Sequence, residues 1–105
     1  MSTLKEDLIK AREKIEKGWC QRVTARSATG RAVPYNAPEA ACFCILGAVH
    51  AVSEYPAYSI EILFKALRAR GVGGVSLNAY NDSRTKRDVL SLFDDAITLA
   101  EEPKV

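Results

Sequence analysis

Three cysteines and a single histidine are the residues of this chain best able to do metal or nucleophile chemistry. Cys20, Cys42, Cys44 and His50 would supply the four soft ligands of a structural zinc. Spacing argues against that. With Cys42 and Cys44 both on a helix, residues two apart diverge by about 200°, and His50 lies about 9 Å further along the axis on another face. Buried apolar thiols are the simpler account, and neither a metal nor a cofactor is expected. A nucleophile is the second use of a thiol, with His50 as base and Asn81 or Asp82 orienting the imidazole. Cys20 is the better candidate, because it follows a helix with Lys17 and Arg22 nearby, whereas Cys44 in mid-helix has no activating neighbour.

A polar and aromatic constellation draws more attention. Trp19 and Gln21 follow the first expected helix, and Tyr80, Asn81 and Asp82 precede the last, all in chain expected to be non-helical. Such residues can line a small pocket, with Trp19 and Tyr80 as walls and Gln21, Asn81 and Asp82 as polar contacts. They can equally brace a loop and satisfy backbone groups that helix ends leave unpaired. Bracing is the favoured use. Gly71-Val72-Gly73-Gly74 follows a helix and lacks a Gly-Lys-Ser/Thr signature, so it reads as a connector and not a phosphate loop.

Charge is finely divided. Fifteen Lys and Arg against thirteen Asp and Glu leave +2, which excludes a strongly basic DNA-coating protein. Between Glu16 and Glu39, however, Lys17, Arg22, Arg26 and Arg31 stand without an acid, a local +4. Lys65, Arg68, Arg70, Arg84, Lys86 and Arg87 could join them in an anionic-partner surface, although solvated faces are the usual explanation. The Gly71 to Arg84 connection is too long for a helix-turn-helix.

The elements that must position these residues are read from apolar spacing. Leu4, Leu8, Ala11 and Ile15 form one stripe of a helix, opened by a Thr3/Glu6 capping box and stopped at Gly18 in the left-handed conformation. Residues 19–36 lose the helical period and suggest a short hairpin or ordered loop turning near Ala28-Thr29-Gly30. A nearly all-apolar helix is expected from Pro38-Glu39 to about Ser53, with Ala40, Cys44, Gly47 and Ala51 as a small-residue stripe. A third should run from about Ser59 to Arg70, and a last from Thr85 and Asp88, a second capping box, through Ala100. The fold expected is therefore all-α, a single domain over residues 1–105. It comprises four helices with the Ala40–Val52 helix at the centre and an irregular or hairpin insertion at 19–36. A chain of 105 residues, 48% apolar and 27% charged, can build such a core without disulfides. No charge-free run reaches the ~20 residues of a membrane span, and no secretory signal opens the sequence, so a cytoplasmic location and no membrane partner are expected.

Trp19-Cys20-Gln21, Phe43-Cys44-Ile45-Leu46-Gly47-Ala48, Tyr80-Asn81-Asp82 and the Thr85 to Ile97 helix resemble a family of small uncharacterised bacterial and phage proteins, a domain of unknown function. Its pattern runs Trp-x-Gln, Trp-Cys-x-x-Gly-Ala and Trp-Asn-Asp over nearly the whole chain. Phe43 and Tyr80 depart from it, each keeping an aromatic ring where the pattern has tryptophan. The resemblance implies no activity or cofactor, but it directs attention to Trp19, Gln21, Cys44, Gly47, Asn81 and Asp82. The leading functional expectation is a non-enzymatic binding or interaction module. Its binding residues would be Trp19, Gln21, Cys44, Tyr80, Asn81 and Asp82, and its partners a second copy of itself, another protein or a small ligand. The alternatives are a cysteine-dependent small hydrolase using Cys20 and His50, and a nucleic-acid accessory protein, which is not favoured.

Overall fold

A computed structural model describes residues 3–101. It corrects the all-α expectation: among the described residues five helices pack with a three-stranded antiparallel sheet, so the architecture is mixed α and β. Helix α1 spans Leu4–Lys17 and opens on the expected capping box, with the Glu6 N–H donating to Thr3 Oγ1 at 3.1 Å. Leu8, Ala11 and Ile15 are buried as the stripe requires. Gly18 does end the helix, but in extended backbone at φ −170° and not in the left-handed region. Glycine is needed there for room, because a Cβ would run into the Ala41 carbonyl oxygen of the neighbouring strand.

Of the two forms expected within residues 19–36, a hairpin or an irregular loop, the chain takes the hairpin, formed by β1 (Ala25–Ser27) and β2 (Ala32–Val33) with Gly30 at φ 89° in the turn. Strand β3 (Ala40–Phe43) lies on the other side of β1, giving the order β2-β1-β3. This strand replaces the first third of the expected central helix. Ala40-Ala41-Cys42-Phe43 is a short, uniformly apolar run, which fits either period, and β1 settles the choice by pairing Ala25 with Phe43 and Arg26 with Cys42. Phe43 also exchanges backbone hydrogen bonds with the chain leaving α1, donating to the Gly18 carbonyl and accepting from the Cys20 N–H.

Helix α2 is consequently short, Ile45–Val52, and Cys44 is its N-cap. The expected stripe of Ala40, Cys44, Gly47 and Ala51 therefore does not exist as a helix face. Helix α3 (Pro56–Ala69) starts a turn earlier than expected, with proline in its first turn where the missing donor costs nothing. The Tyr80-Asn81-Asp82 segment, expected to be loop, belongs to a short helix α4, Leu77–Ser83, capped by Ser76 Oγ accepting from the Ala79 N–H. Helix α5 (Lys86–Glu101) opens on the expected Thr85/Asp88 box.

Helix α1 packs on both α2 and α5, and α3 packs on α5. The core between them holds Leu8, Ile15, Ile45, Val49, Leu63, Leu67, Leu92 and Phe93, all essentially sealed from water. The sheet covers the N-terminal end of α2, and the polar constellation sits at that junction.

Candidate functional site

Asn81 is the centre of this junction and is 0% exposed. Its Oδ1 accepts from the Trp19 Nε1–H at 2.9 Å and from the Ile45 N–H, the first helical residue of α2, at 3.1 Å. Its Nδ2 donates to the Cys20 carbonyl at 3.1 Å and to Asp82 Oδ1 at 3.2 Å. A carboxamide offers two acceptor and two donor positions, and all four are used. One side chain on α4 thus ties down the chain after α1, the start of α2 and its own neighbour.

Gln21 completes the clasp from the opposite direction. Its Nε2 donates to the carbonyls of Asn81 (3.1 Å) and Arg84 (3.2 Å), groups left open where α4 ends. Asp82 Oδ1 accepts from the Arg22 N–H at 2.8 Å. Arg22 is the only described non-glycine residue with positive φ, 71°, a conformation that costs on the order of 1 kcal/mol or more for a side chain of this kind. The Asp82 hydrogen bond holds it there. Trp19, Gln21, Asn81 and Asp82 are thus brought together as the sequence suggested, in the bracing arrangement. Tyr80 is not part of it. Its hydroxyl accepts from Arg70 Nη1 at 3.1 Å, while Arg84 lies over its ring, so it cannot face Trp19 as a second pocket wall.

A cleft of about 170 Å³ opens on the outer side of the clasp, lined by Arg22, Val23, Thr24, Cys44, Asn78 and Asp82. Of the residues singled out from sequence, Cys44 and Asp82 reach it, and so does Arg22, which the sequence offered as one of the basic residues between Glu16 and Glu39. Val23, Thr24 and Asn78 are new, and their only sequence signal is position: Val23 and Thr24 closely follow Trp19-x-Gln21, and Asn78 is one helical turn before Asp82. Asp82 Oδ2 carries no hydrogen bond among the described residues, and the Arg22 guanidinium has no described partner.

Cys44 corrects the expectation of a mid-helix thiol. As N-cap of α2 its Sγ accepts from the Gly47 N–H at 3.3 Å, a setting that ordinarily activates a thiol. Burial nevertheless pushes it up; the Gly47 and Leu46 N–H groups oppose this in part, and the Asp82 charge adds to it. Cys20 is buried and pushed up to about 12, first by desolvation and then by its neighbour Cys42. His50 is exposed, its ring against Tyr35 at 5.4 Å. Neither thiol therefore has the depressed pKa that the hydrolase reading needs.

The zinc argument also changes, because Cys42 lies on a strand and Cys44 at a cap, so helical divergence no longer separates them. Among the described residues, no group of three His, Cys, Asp or Glu side chains is arranged to hold a metal ion. The basic residues are partly consumed by the fold. Arg70 donates to Asp95, Ser91 and Tyr80, Arg31 pairs with Glu39, Lys86 donates to the Glu16 carbonyl, and Arg26 donates to the Gly30 carbonyl. No described helix is long and apolar enough to cross a membrane.

The profile of a family of unknown function, DUF6197, matches residues 1–99. The chain belongs to this family. No curated protein and no solved structure matches it. Membership in DUF6197 brings no activity with it, so a functional reading must come from the clasp and its cleft.

Proposed function

We propose that this DUF6197 chain is a non-enzymatic binding module whose ligand occupies the cleft beside the clasp. The observation that carries the reading is Asp82. One carboxylate oxygen is committed to the fold through Arg22 and Asn81, while Oδ2 has no described partner in a cleft that Asp82 itself lines. Arg22 on the same cleft offers donors, so the ligand favoured is small and polar, presenting both a donor and an acceptor, as a primary amide or an amino acid does. The raised thiols of Cys20 and Cys44 support binding over nucleophilic catalysis. Three free thiols favour a reducing compartment such as the cytoplasm. A small ligand is preferred over a second copy as partner, because Tyr55 and Tyr58 are the only large apolar side chains strongly exposed among the described residues.

Acetamide and glycine, titrated into the labelled protein and followed by amide chemical shifts, test the reading. Saturable changes centred on Arg22, Thr24, Cys44 and Asp82 are expected. Asp82→Asn should lose them while keeping the acceptor that holds Arg22. Absence of saturable changes with either probe, or unchanged binding in Asp82→Asn, defeats the proposal.

A further inference from the structure

A second cleft, of about 270 Å³, lies between the start of α1 and the start of α3 and is lined by Leu4, Asp7, Tyr55 and Tyr58. Its chemistry is unlike the first. Asp7 is 9% exposed, and its Oδ1 is buried with no hydrogen-bond partner. It is the only such buried side-chain atom among the described residues. A carboxylate withdrawn from water without a compensating donor is costly, and position in the first turn of α1 offsets that cost only in part. Beside it Tyr55 and Tyr58 are 61% and 63% exposed, with ring centroids 6.3 Å apart and planes at 62°. They form two walls of a corner. Lys5, the nearest cation in sequence, is turned to Glu101 at 2.6 Å and so is engaged elsewhere.

We propose that the Leu4-Asp7-Tyr55-Tyr58 cleft is a binding site for an alkylammonium group. The Asp7 carboxylate on the cleft wall attracts the cation, and the cation in turn supplies the counter-charge that this partnerless carboxylate lacks. The tyrosine faces supply cation–π attraction, and Leu4 accommodates the carbon substituents. A neutral ligand would leave Asp7 unpaired, and an anion would be repelled by it. The site is separate from the Asp82 cleft and shares no lining residue with it, so each stands without the other.

The test uses the full chain, with tetramethylammonium and n-butylammonium chloride as probes and sodium chloride at matched ionic strength as control. Amide shifts should change saturably at Asp7, Tyr55 and Tyr58 with the ammonium salts alone. Tyr58→Phe should bind as wild type because it keeps the ring. Asp7→Asn and Tyr58→Ala should each weaken binding by about tenfold or more. Asp7→Asn should also melt at the same or a higher temperature, since an unpaired charge is removed. Tighter binding of n-butylammonium assigns the site to primary amines such as a lysine side chain, and tighter binding of tetramethylammonium assigns it to quaternary ions. Shifts no larger than those with sodium chloride overturn the proposal. So does undiminished binding by both weakening variants, or a sharp fall in the stability of Asp7→Asn, which would make its carboxylate a structural group.

Discussion

At the scale of single residues, the most consequential side chain is Asn81, because its four hydrogen bonds join segments far apart in sequence. Replacing it with alanine orphans the Trp19 indole N–H, the Ile45 N–H and the Cys20 carbonyl together. Each unsatisfied buried group costs about 1–3 kcal/mol, so Asn81→Ala should lose at least about 3 kcal/mol in chemical denaturation. Asn81→Asp is the sharper probe. It keeps the two acceptor bonds but sets a carboxylate against Asp82 and the Cys20 carbonyl, so the variant should be destabilised at neutral pH. It should recover part of that loss as pH falls through the carboxylate range, and no recovery would mean that Asn81 acts by shape alone. Trp19, Gln21, Asn81 and Asp82 were legible as a group because they are polar or amphipathic residues beside helix ends. Arg22 was not, since nothing in its type signals a left-handed backbone. Asp7 falls on the edge of the apolar stripe, three residues after Leu4 and four before Ala11, but an acid in the first turn of a helix carries no signal of burial in its type.

At the scale of elements, α1 and α5 were readable because a capping box and a stripe at helical spacing agree in each. The segment from Ala40 to Val52 was not. Its residues are apolar nearly throughout, so periodicity carried no information, and only pairing with β1 turns the first four into a strand. Tyr80-Asn81-Asp82 failed differently: Asn and Asp normally favour loops, but here their side chains are spent on other segments and the backbone is free to be helical. Gly47 shows what the strand-to-helix junction requires. A Cβ at this position would collide with the Thr24 carbonyl, and that same carbonyl accepts the Cys44 N–H at 3.2 Å. Gly47→Ala must therefore push α2 off the sheet, and we expect a loss of about 2 kcal/mol or more by thermal or urea unfolding. Gly30→Ala is the control. It meets no neighbour and suffers only from its positive φ, so its loss should stay near 1 kcal/mol. Equal losses at the two positions would show that close approach is not what α2 depends on.

At the scale of the whole molecule, sheet and helices meet where the thiols are buried, and this couples global stability to alkaline pH. Cys20 is pushed up to about 12 in the folded chain, whereas an exposed thiol in the unfolded chain ionises near its ordinary value of about 8.5. Cys44 is raised in the same direction, chiefly by burial. A raised acid binds more protons in the folded state than in the unfolded one. Its stabilising effect is therefore complete below the unfolded value and declines as pH rises from there toward the folded one. Unfolding free energy should fall above about pH 8.5, by at most about 1.4 kcal/mol per pH unit for each thiol. Lysines and tyrosines titrate over the same interval, so the informative quantity is the difference between wild type and Cys20→Ala. That variant should be less stable at neutral pH for lack of packing, yet lose less on going from pH 8 to pH 10. Parallel slopes would show that Cys20 ionises equally in both states. In that case the thiol would react at an ordinary rate with an alkylating reagent in the native protein, and the case for binding over nucleophilic catalysis would lose the support of Cys20.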